Sequence, residues 1–182
     1  MAKGYNQQHE IDYSETYSPV IRATTIRTII SLAVTYDWPI RQIDVTNAFL
    51  HGSLTEEVYM SQPPGFINHH HPDLVCKLHH SLYGLKQALR AWYTRLTQFL
   101  CQQGFISSKA DSSLFIRINS ANKLFILIYV DDILITGSSL SDITSVMTAL
   151  QREFPLRDLG PLHYFLGIEV IRSSNSLLLS QQ

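Results

Sequence analysis

Cysteine is scarce in this chain of 182 residues, where Cys76 and Cys101 are the two present. Their wide separation forms no metal or redox motif and excludes a disulfide framework. A single disulfide stays open, but two buried thiols in a reducing compartment are the expectation. Long hydrophobic runs are missing too. The longest, Leu124 to Val130, falls far short of the roughly 20 residues that a membrane-spanning helix needs. The first residues, Met1 to Tyr5, lack the apolar stretch of a signal peptide. A soluble, intracellular chain is therefore expected. An excess of one charge is also absent. The formal net charge is −1, from 14 basic and 15 acidic side chains, so the whole chain carries no nucleic-acid signature. There is no internal repeat, low-complexity tract or interdomain linker.

What is present is a globular composition: 45% hydrophobic, 10% aromatic and 16% charged residues. This excludes disorder, collagen and coiled coil, and the length suits one domain or two small subdomains. The charge average hides a local bias. From Leu74 to Val130, seven bases (Lys77, Lys86, Arg90, Arg95, Lys109, Arg117 and Lys123) stand against one acid, Asp111.

Ile26, Ile29, Ile30, Ala33 and Val34 recur at helical spacing and predict a helix over 22–36, with Thr24 or Thr25 as its cap. Trp38-Pro39 breaks that pattern, and Ile40, Ile43 and Val45 predict a short strand. Val58 to Met60 and Leu74 to Leu78 are further strand candidates. A glycine-containing turn, Ser81 to Leu85, precedes the clearest helix, about 86–103, whose apolar stripe is Ala88, Ala91, Trp92, Leu96, Phe99 and Leu100; Gly104 stops it. Strands are expected at Leu114 to Ile118 and Leu124 to Val130, then a helix near 141–153 capped by Ser141. Late strands are expected at Phe165 to Val170 and Leu177 to Leu179. Short strands joined as hairpins and interleaved with three helices predict an α+β fold with an antiparallel sheet.

Asp131 and Asp132 interrupt the apolar segment Leu124 to Ile135. A sheet core does not tolerate unpaired carboxylates, so both acids are expected at the tip of a tight hairpin. There they either form an exposed turn or share a divalent cation. Asp44 ends another predicted strand and is read as a turn, a helix cap or a third ligand. If its strand lies beside the hairpin, Asp44 and Asp131 face each other across a pair of Mg²⁺ ions, which clamp the oxygens of a phosphoryl transfer. Lys86 and Arg90, at i and i+4, share one helix face that suits a polyphosphate or a nucleic-acid backbone, or else is merely solvated.

These residues sit in longer stretches. Asp44-Val-Thr-Asn-Ala-Phe-Leu-His-Gly52, Val58-Tyr-Met60, Pro64-Gly-Phe66, Ser81-Leu-Tyr-Gly-Leu-Lys-Gln-Ala88, Lys109-Ala-Asp-Ser-Ser-Leu-Phe115, Tyr129-Val-Asp-Asp132 and Leu159-Gly-Pro-Leu-His-Tyr-Phe-Leu-Gly-Ile-Glu-Val170 follow in order. Together they resemble the reverse transcriptase of copia-type LTR retrotransposons, a fragment of a Pol polyprotein, over essentially the whole chain. The resemblance implies a right-hand polymerase: a palm with a ferredoxin-like antiparallel sheet and helices at about 39–52 and 81–182, and partial fingers at about 1–38 and 53–80. It implies RNA-directed DNA polymerisation from dNTPs on an RNA or DNA template-primer, with two Mg²⁺ ions for which Mn²⁺ can substitute, and no membrane partner. Asp44, Asp131 and Asp132 are then the catalytic and metal-binding carboxylates, with Asp132 an accessory ligand. Val45, Phe49, Tyr83, Gly84, Lys86 and Gln87 correspond to nucleotide-binding positions. Phe49 lies under the incoming sugar, where it excludes a 2′-hydroxyl, or else is a core residue. Tyr129, Phe165, Leu166 and Gly167 correspond to primer-binding positions.

The sequence departs from the family pattern in three respects. An upstream fingers stretch with basic residues is expected before Ala2 and a thumb, connection and RNase H after Gln182, so the chain is read as truncated at both ends, and Leu89 stands where the family has a small polar residue. A retroelement remnant that keeps the palm fold without polymerising is the alternative. A receiver-like phosphoacceptor domain would need regular βα alternation, which the Leu124 to Ile135 pattern does not supply. The histidines at 69–71, 79 and 80 are read as loop residues, Glu56-Glu57 as a solvated turn, and His51 as structural.

Overall fold

The computed structural model describes residues 4–16, 18–172 and 177–181, with side chains through residue 170. The remaining residues of the expected domain (1–3, 17, 173–176 and 182) lie outside it. The fold is α+β. The strands are β1 (Ile40–Val45), β2 (Ser53–Ser61), β3 (Val75–His80), β4 (Ile106–Ser107), β5 (Leu114–Ile118), β6 (Lys123–Tyr129), β7 (Asp132–Gly137), β8 (Leu156–Pro161), β9 (Tyr164–Phe165), β10 (Ile168–Arg172) and β11 (Leu177–Gln181). The helices are α1 (Ala23–Thr35), α2 (Ala88–Gln102) and α3 (Leu140–Glu153).

The chain divides into two compact units, residues 1–18 with 47–99 and residues 19–46 with 100–182. That second unit contains a six-stranded sheet, in the order β4-β5-β6-β7-β1-β8, in which every neighbouring pair is antiparallel. It also holds the three-stranded sheet β11-β10-β9.

The pleat sends alternate side chains to opposite faces. On one face, Ile40, Leu114, Phe125, Leu127 and Leu134 form a core with Ile26, Ile29, Ile30 and Ala33 of α1 and with Leu162, Phe165, Ile168 and Val170. Ile43, Ile126, Ile128, Ile133 and Ile135 are buried on the other, where α3 lies against β7 and buries Ile143, Val146, Met147 and Leu150. Each such side chain contributes about 1.5–3 kcal/mol of burial, which is why β6 and β7 tolerate few polar positions.

Two caps differ from expectation. Ser139, not Ser141, caps α3, its side chain accepting from the Asp142 N–H. Thr24 and Thr25 do not cap α1, whose N-cap is Arg22 without a side-chain cap bond of its own. The distant, buried Asp111 takes that role. Its carboxylate accepts from the Arg22 N–H at 3.1 Å and the Thr25 hydroxyl at 2.6 Å, and also from the Ser113 N–H at 2.9 Å. Burial raises the Asp111 carboxyl, but these hydrogen bonds outweigh it and hold the group below the usual carboxylate range.

In the other unit, β2 and β3 form a two-stranded ribbon and α2 buries Trp92 and Leu96. Glu56 and Glu57 belong to β2 rather than to a turn, and Glu57 pairs with Lys77 on β3. The cysteines are both free, but the expected burial does not hold: Cys101 is exposed and Cys76 half-buried. Among the described residues no helix is long and apolar enough to cross a membrane.

Candidate catalytic site

The strand β1 runs antiparallel to β7 with Asp44 directly opposite Asp132, and on β6 Tyr129 faces Asp132 in turn. Cross-strand partners share a face. Asp44, Asp132 and Tyr129 therefore end the same sheet face that packs against α1 further along. The two aspartates of the hairpin are not equivalent, contrary to the expectation that both occupy its tip. Asp132 is the first residue of β7, and the turn consists of Val130 and Asp131. Register explains this, because Tyr129 pairs with Asp132 and leaves two residues to reverse the chain. The Asp131 carbonyl accepts from the Val45 N–H at 2.9 Å, which joins the turn to the end of β1.

Val130 has a φ of 56°, the left-handed region that a β-branched residue rarely enters. Such strain, about 1–3 kcal/mol, is held here by paired strands on both sides of the turn.

Burial holds the Asp132 carboxyl above its ordinary value. The negative charges of Asp131 and Asp44 push in the same direction, while a side-chain hydrogen bond from Gln42 opposes them. That bond is long, 3.4 Å from Gln42 Nε2 to Asp132 Oδ1. The sequence reading passed over Gln42, although it lies two residues before Asp44 on the same strand and thus on the same face. The three half-buried carboxylates so form one electrostatic group. Among the described residues, no set of three or more His, Cys, Asp or Glu side chains is arranged to hold a metal ion. A magnesium site does not require such a set, because Mg²⁺ takes one or two carboxylates and fills its remaining positions with water and phosphate oxygens. The donor chemistry fits a hard divalent cation, which relieves the repulsion that Asp132 experiences.

Of the expected primer-binding residues, Tyr129 and Leu166 line one cavity of about 180 Å³, together with Ile26, Arg27 and Ile168. Phe165 is a core residue, 1% exposed. Leu166 and Gly167 form the β9–β10 turn, both at positive φ.

The expected nucleotide-binding residues divide differently. Val45 is buried and offers its backbone to Asp131. In the other unit, Phe49 lies in the short 3₁₀ turn Ala48–His51 and is half-buried, so it is not a core phenylalanine. Its carbonyl accepts the hydroxyl of the fully buried Ser81, and its ring lies 4.6 Å from that of Tyr83. The turn is packed tightly on α2: a Cβ added at Gly52 would come within 2.7 Å of the Trp92 backbone nitrogen. Tyr83, Gly84 and Lys86 are exposed. Gln87 is 2% exposed, and its carboxamide is engaged inside the unit rather than offered to a ligand. The histidines at 69–71 are exposed.

A family model described as reverse transcriptase (RNA-dependent DNA polymerase) matches residues 1–182. The chain belongs to that family. It is 51% identical over 182 residues to the Retrovirus-related Pol polyprotein from transposon RE2 of Arabidopsis thaliana, and 52% identical over 182 residues to that from transposon RE1 of the same plant. To the Retrovirus-related Pol polyprotein from transposon TNT 1-94 of Nicotiana tabacum it is 42% identical over 185 residues. Each comparison covers 100% of this chain, but only 12% of the two Arabidopsis relatives and 14% of the tobacco one. The copia-type resemblance read from the sequence thus holds along the whole reverse transcriptase chain, which spans about an eighth of the Arabidopsis polyproteins.

Proposed function

We propose that this reverse transcriptase chain performs template-directed nucleotidyl transfer, extending a primer 3′-hydroxyl from dNTPs, as part of a copia-type Pol polyprotein. The observation that carries the reading is the register of β1 against β7. It sets Asp44 opposite Asp132 while Asp131 occupies the turn bonded to Val45. Like charges directly opposite one another destabilise a sheet, so a site that keeps them is read as a cation site.

On this reading the palm is about 39–52 and 81–182, and so includes β1, β6 and β7, and the partial fingers are about 1–38 and 53–80. Asp44 and Asp131 are the direct metal ligands and Asp132 the accessory one. Two magnesium ions, when bound, neutralise phosphate charge and lower the pKa of the attacking hydroxyl. The chain's own contribution is to hold three carboxylates at the end of a rigid sheet face. No side-chain nucleophile is required. Phe49 forms the wall that excludes a ribose 2′-hydroxyl, and Tyr83, Gly84 and Lys86 meet the nucleotide. Tyr129, Leu166 and Gly167 bind the primer end, with Phe165 anchoring their turn in the core. RNA or DNA template-primer and dNTP are the partners.

Incorporation of dTTP on an oligo(dT)-primed poly(rA) template, with Mg²⁺ or Mn²⁺ and beside Asp131→Asn, tests the reading. Extension by the parent and none by the variant supports it. A cooperatively folded parent that does not extend the primer rejects it for this chain and leaves a palm scaffold without activity.

A further inference from the structure

Residues 4–13 carry no helical or strand periodicity, yet side chains from within the same unit fix their position. The Asp12 carbonyl can only accept, so Gln87 turns its Nε2 towards it, at 2.9 Å, and presents Oε1 to Gln7. Gln7 donates its Nε2 to that oxygen at 3.0 Å, and its own Oε1 accepts the backbone N–H of Lys86 at 2.9 Å. The two ends of this relay, a carbonyl and an N–H, determine the orientation of both carboxamides. Gln87 is almost fully buried, which protects its hydrogen bonds from competition by water. The approach is close as well: a Cβ added at Gly4 would lie 1.9 Å from the Gly84 carbonyl oxygen, so only glycine fits there. The Lys86 ammonium completes the contact. It donates to the Gln7 carbonyl at 3.2 Å and to the Tyr13 hydroxyl at 3.3 Å, 4.9 Å from the Tyr13 ring centre.

We infer that Gln7 is a positioning residue for nucleotide binding. Through its carboxamide, with Gln87 as buried anchor, it holds the Gly84–Gln87 turn and Lys86 in the conformation that receives the incoming dNTP. The inference rests on the reading above that Tyr83, Gly84 and Lys86 meet the nucleotide. Gln87 accordingly acts by holding this segment and makes no contact with the ligand.

Amide hydrogen exchange followed by NMR on the full chain tests the relay without any need for catalysis. In Gln7→Ala the Lys86 N–H loses its acceptor, and its exchange is expected to rise at least about tenfold while the β6 amides stay unchanged. Gln7→Glu keeps the acceptor for Lys86 but loses the donor to Gln87 Oε1, and is expected to restore protection only in part. Gln7 is only half-buried, so these variants fold even if a change at Gln87 does not. Unchanged Lys86 exchange in Gln7→Ala, or full protection in Gln7→Glu without the bond to Gln87, overturns the relay. Titration with dTTP and Mg²⁺ then reads function: a Kd raised about tenfold in Gln7→Ala, and by a smaller factor in Gln7→Glu, supports the positioning role. An unchanged Kd with the Lys86 amide deprotected overturns it. If the parent itself binds no dTTP, the nucleotide reading fails and the positioning role falls with it. The exchange data then still decide the relay separately.

Discussion

Asp44 and Asp132 are cross-strand partners, two carboxylates directly opposite one another on β1 and β7 at the end of a face that buries its apolar side chains further along. The arrangement costs stability in the ligand-free chain, and the cost has a definite pH dependence. With the Asp132 carboxyl held above its ordinary value, the folded state binds its proton more tightly than the unfolded state does. Stability therefore falls as pH rises from the ordinary aspartate value, about 3.9, through the raised one. Asp132→Asn removes this penalty. Urea unfolding in chelator-treated buffer is expected to show the variant more stable than the parent at neutral pH. The difference should vanish near about pH 3, where Asp132 is protonated in both states.

Asp44→Asn and Asp131→Asn separate chemistry from folding. Neither acid is buried in the core, and the link between the turn and β1 runs through the backbone, from the Val45 N–H to the Asp131 carbonyl, which both substitutions preserve. Both variants are expected to unfold cooperatively at or slightly above the parent midpoint, since each removes a charge that repels Asp132. Their primer extension is expected to fall by about a hundredfold or more, the usual scale for losing a preorganised charge at the reacting centre. Loss of folding in either would show that these acids are structural.

Asp111 has the opposite electrostatic sign. Its carboxyl is held low by the donors it receives, so its contribution to stability is present above the ordinary aspartate value and is lost as pH falls through the lowered one. Asp111→Ala removes the side chain that caps α1, leaving the Arg22 N–H and the buried Ser113 N–H without that acceptor. A loss of about 2 kcal/mol is expected at neutral pH from the cap and the unmet hydrogen bonds. The loss should shrink on acidification, as read by urea midpoints at several pH values.

Periodicity carried much of this fold. The stripe Ala88, Trp92, Leu96, Phe99 and Leu100 locates α2, and the apolar run broken by Asp131-Asp132 locates the β6–β7 hairpin, because burial on both sheet faces leaves little freedom of composition. β8 was not legible. It is a mostly exposed edge strand carrying Arg157, Asp158, Gly160 and Pro161, a composition that reads as a loop. The cap from Asp111 and the contact between Gln7 and Gln87 were invisible for another reason: they are polar contacts between residues 89 and 80 positions apart, which leave no local pattern. The family resemblance places Gln87 with Lys86 on the nucleotide side, and a shared motif does not distinguish a buried carboxamide from an exposed one.

Phe49 has its backbone held by Ser81 and its ring set against Tyr83. Such bracing suits a wall that must not yield to a hydroxyl group. Phe49→Val is expected to relax discrimination, raising the efficiency of rNTP relative to dNTP use by roughly 10–200-fold, the range that a steric pocket achieves for one small group. Ser81→Ala should relax it to a smaller degree. Competition between UTP and dTTP on the same template measures both, and unchanged ratios would remove Phe49 from sugar selection.

The strained turn yields the last prediction. Val130 occupies the first of the two turn positions with a φ of 56°, where glycine is the unstrained choice. Val130→Gly relieves strain of about 1–3 kcal/mol, against the roughly 0.5–1 kcal/mol entropic cost of glycine. A net gain of about 1 kcal/mol is therefore expected in urea unfolding. The same change frees the segment that carries Asp131, so primer extension should fall although stability rises. That opposition distinguishes strain kept for the site from strain that is merely tolerated. A variant that gains stability and keeps full activity would show that the Val130 conformation has no part in placing Asp131.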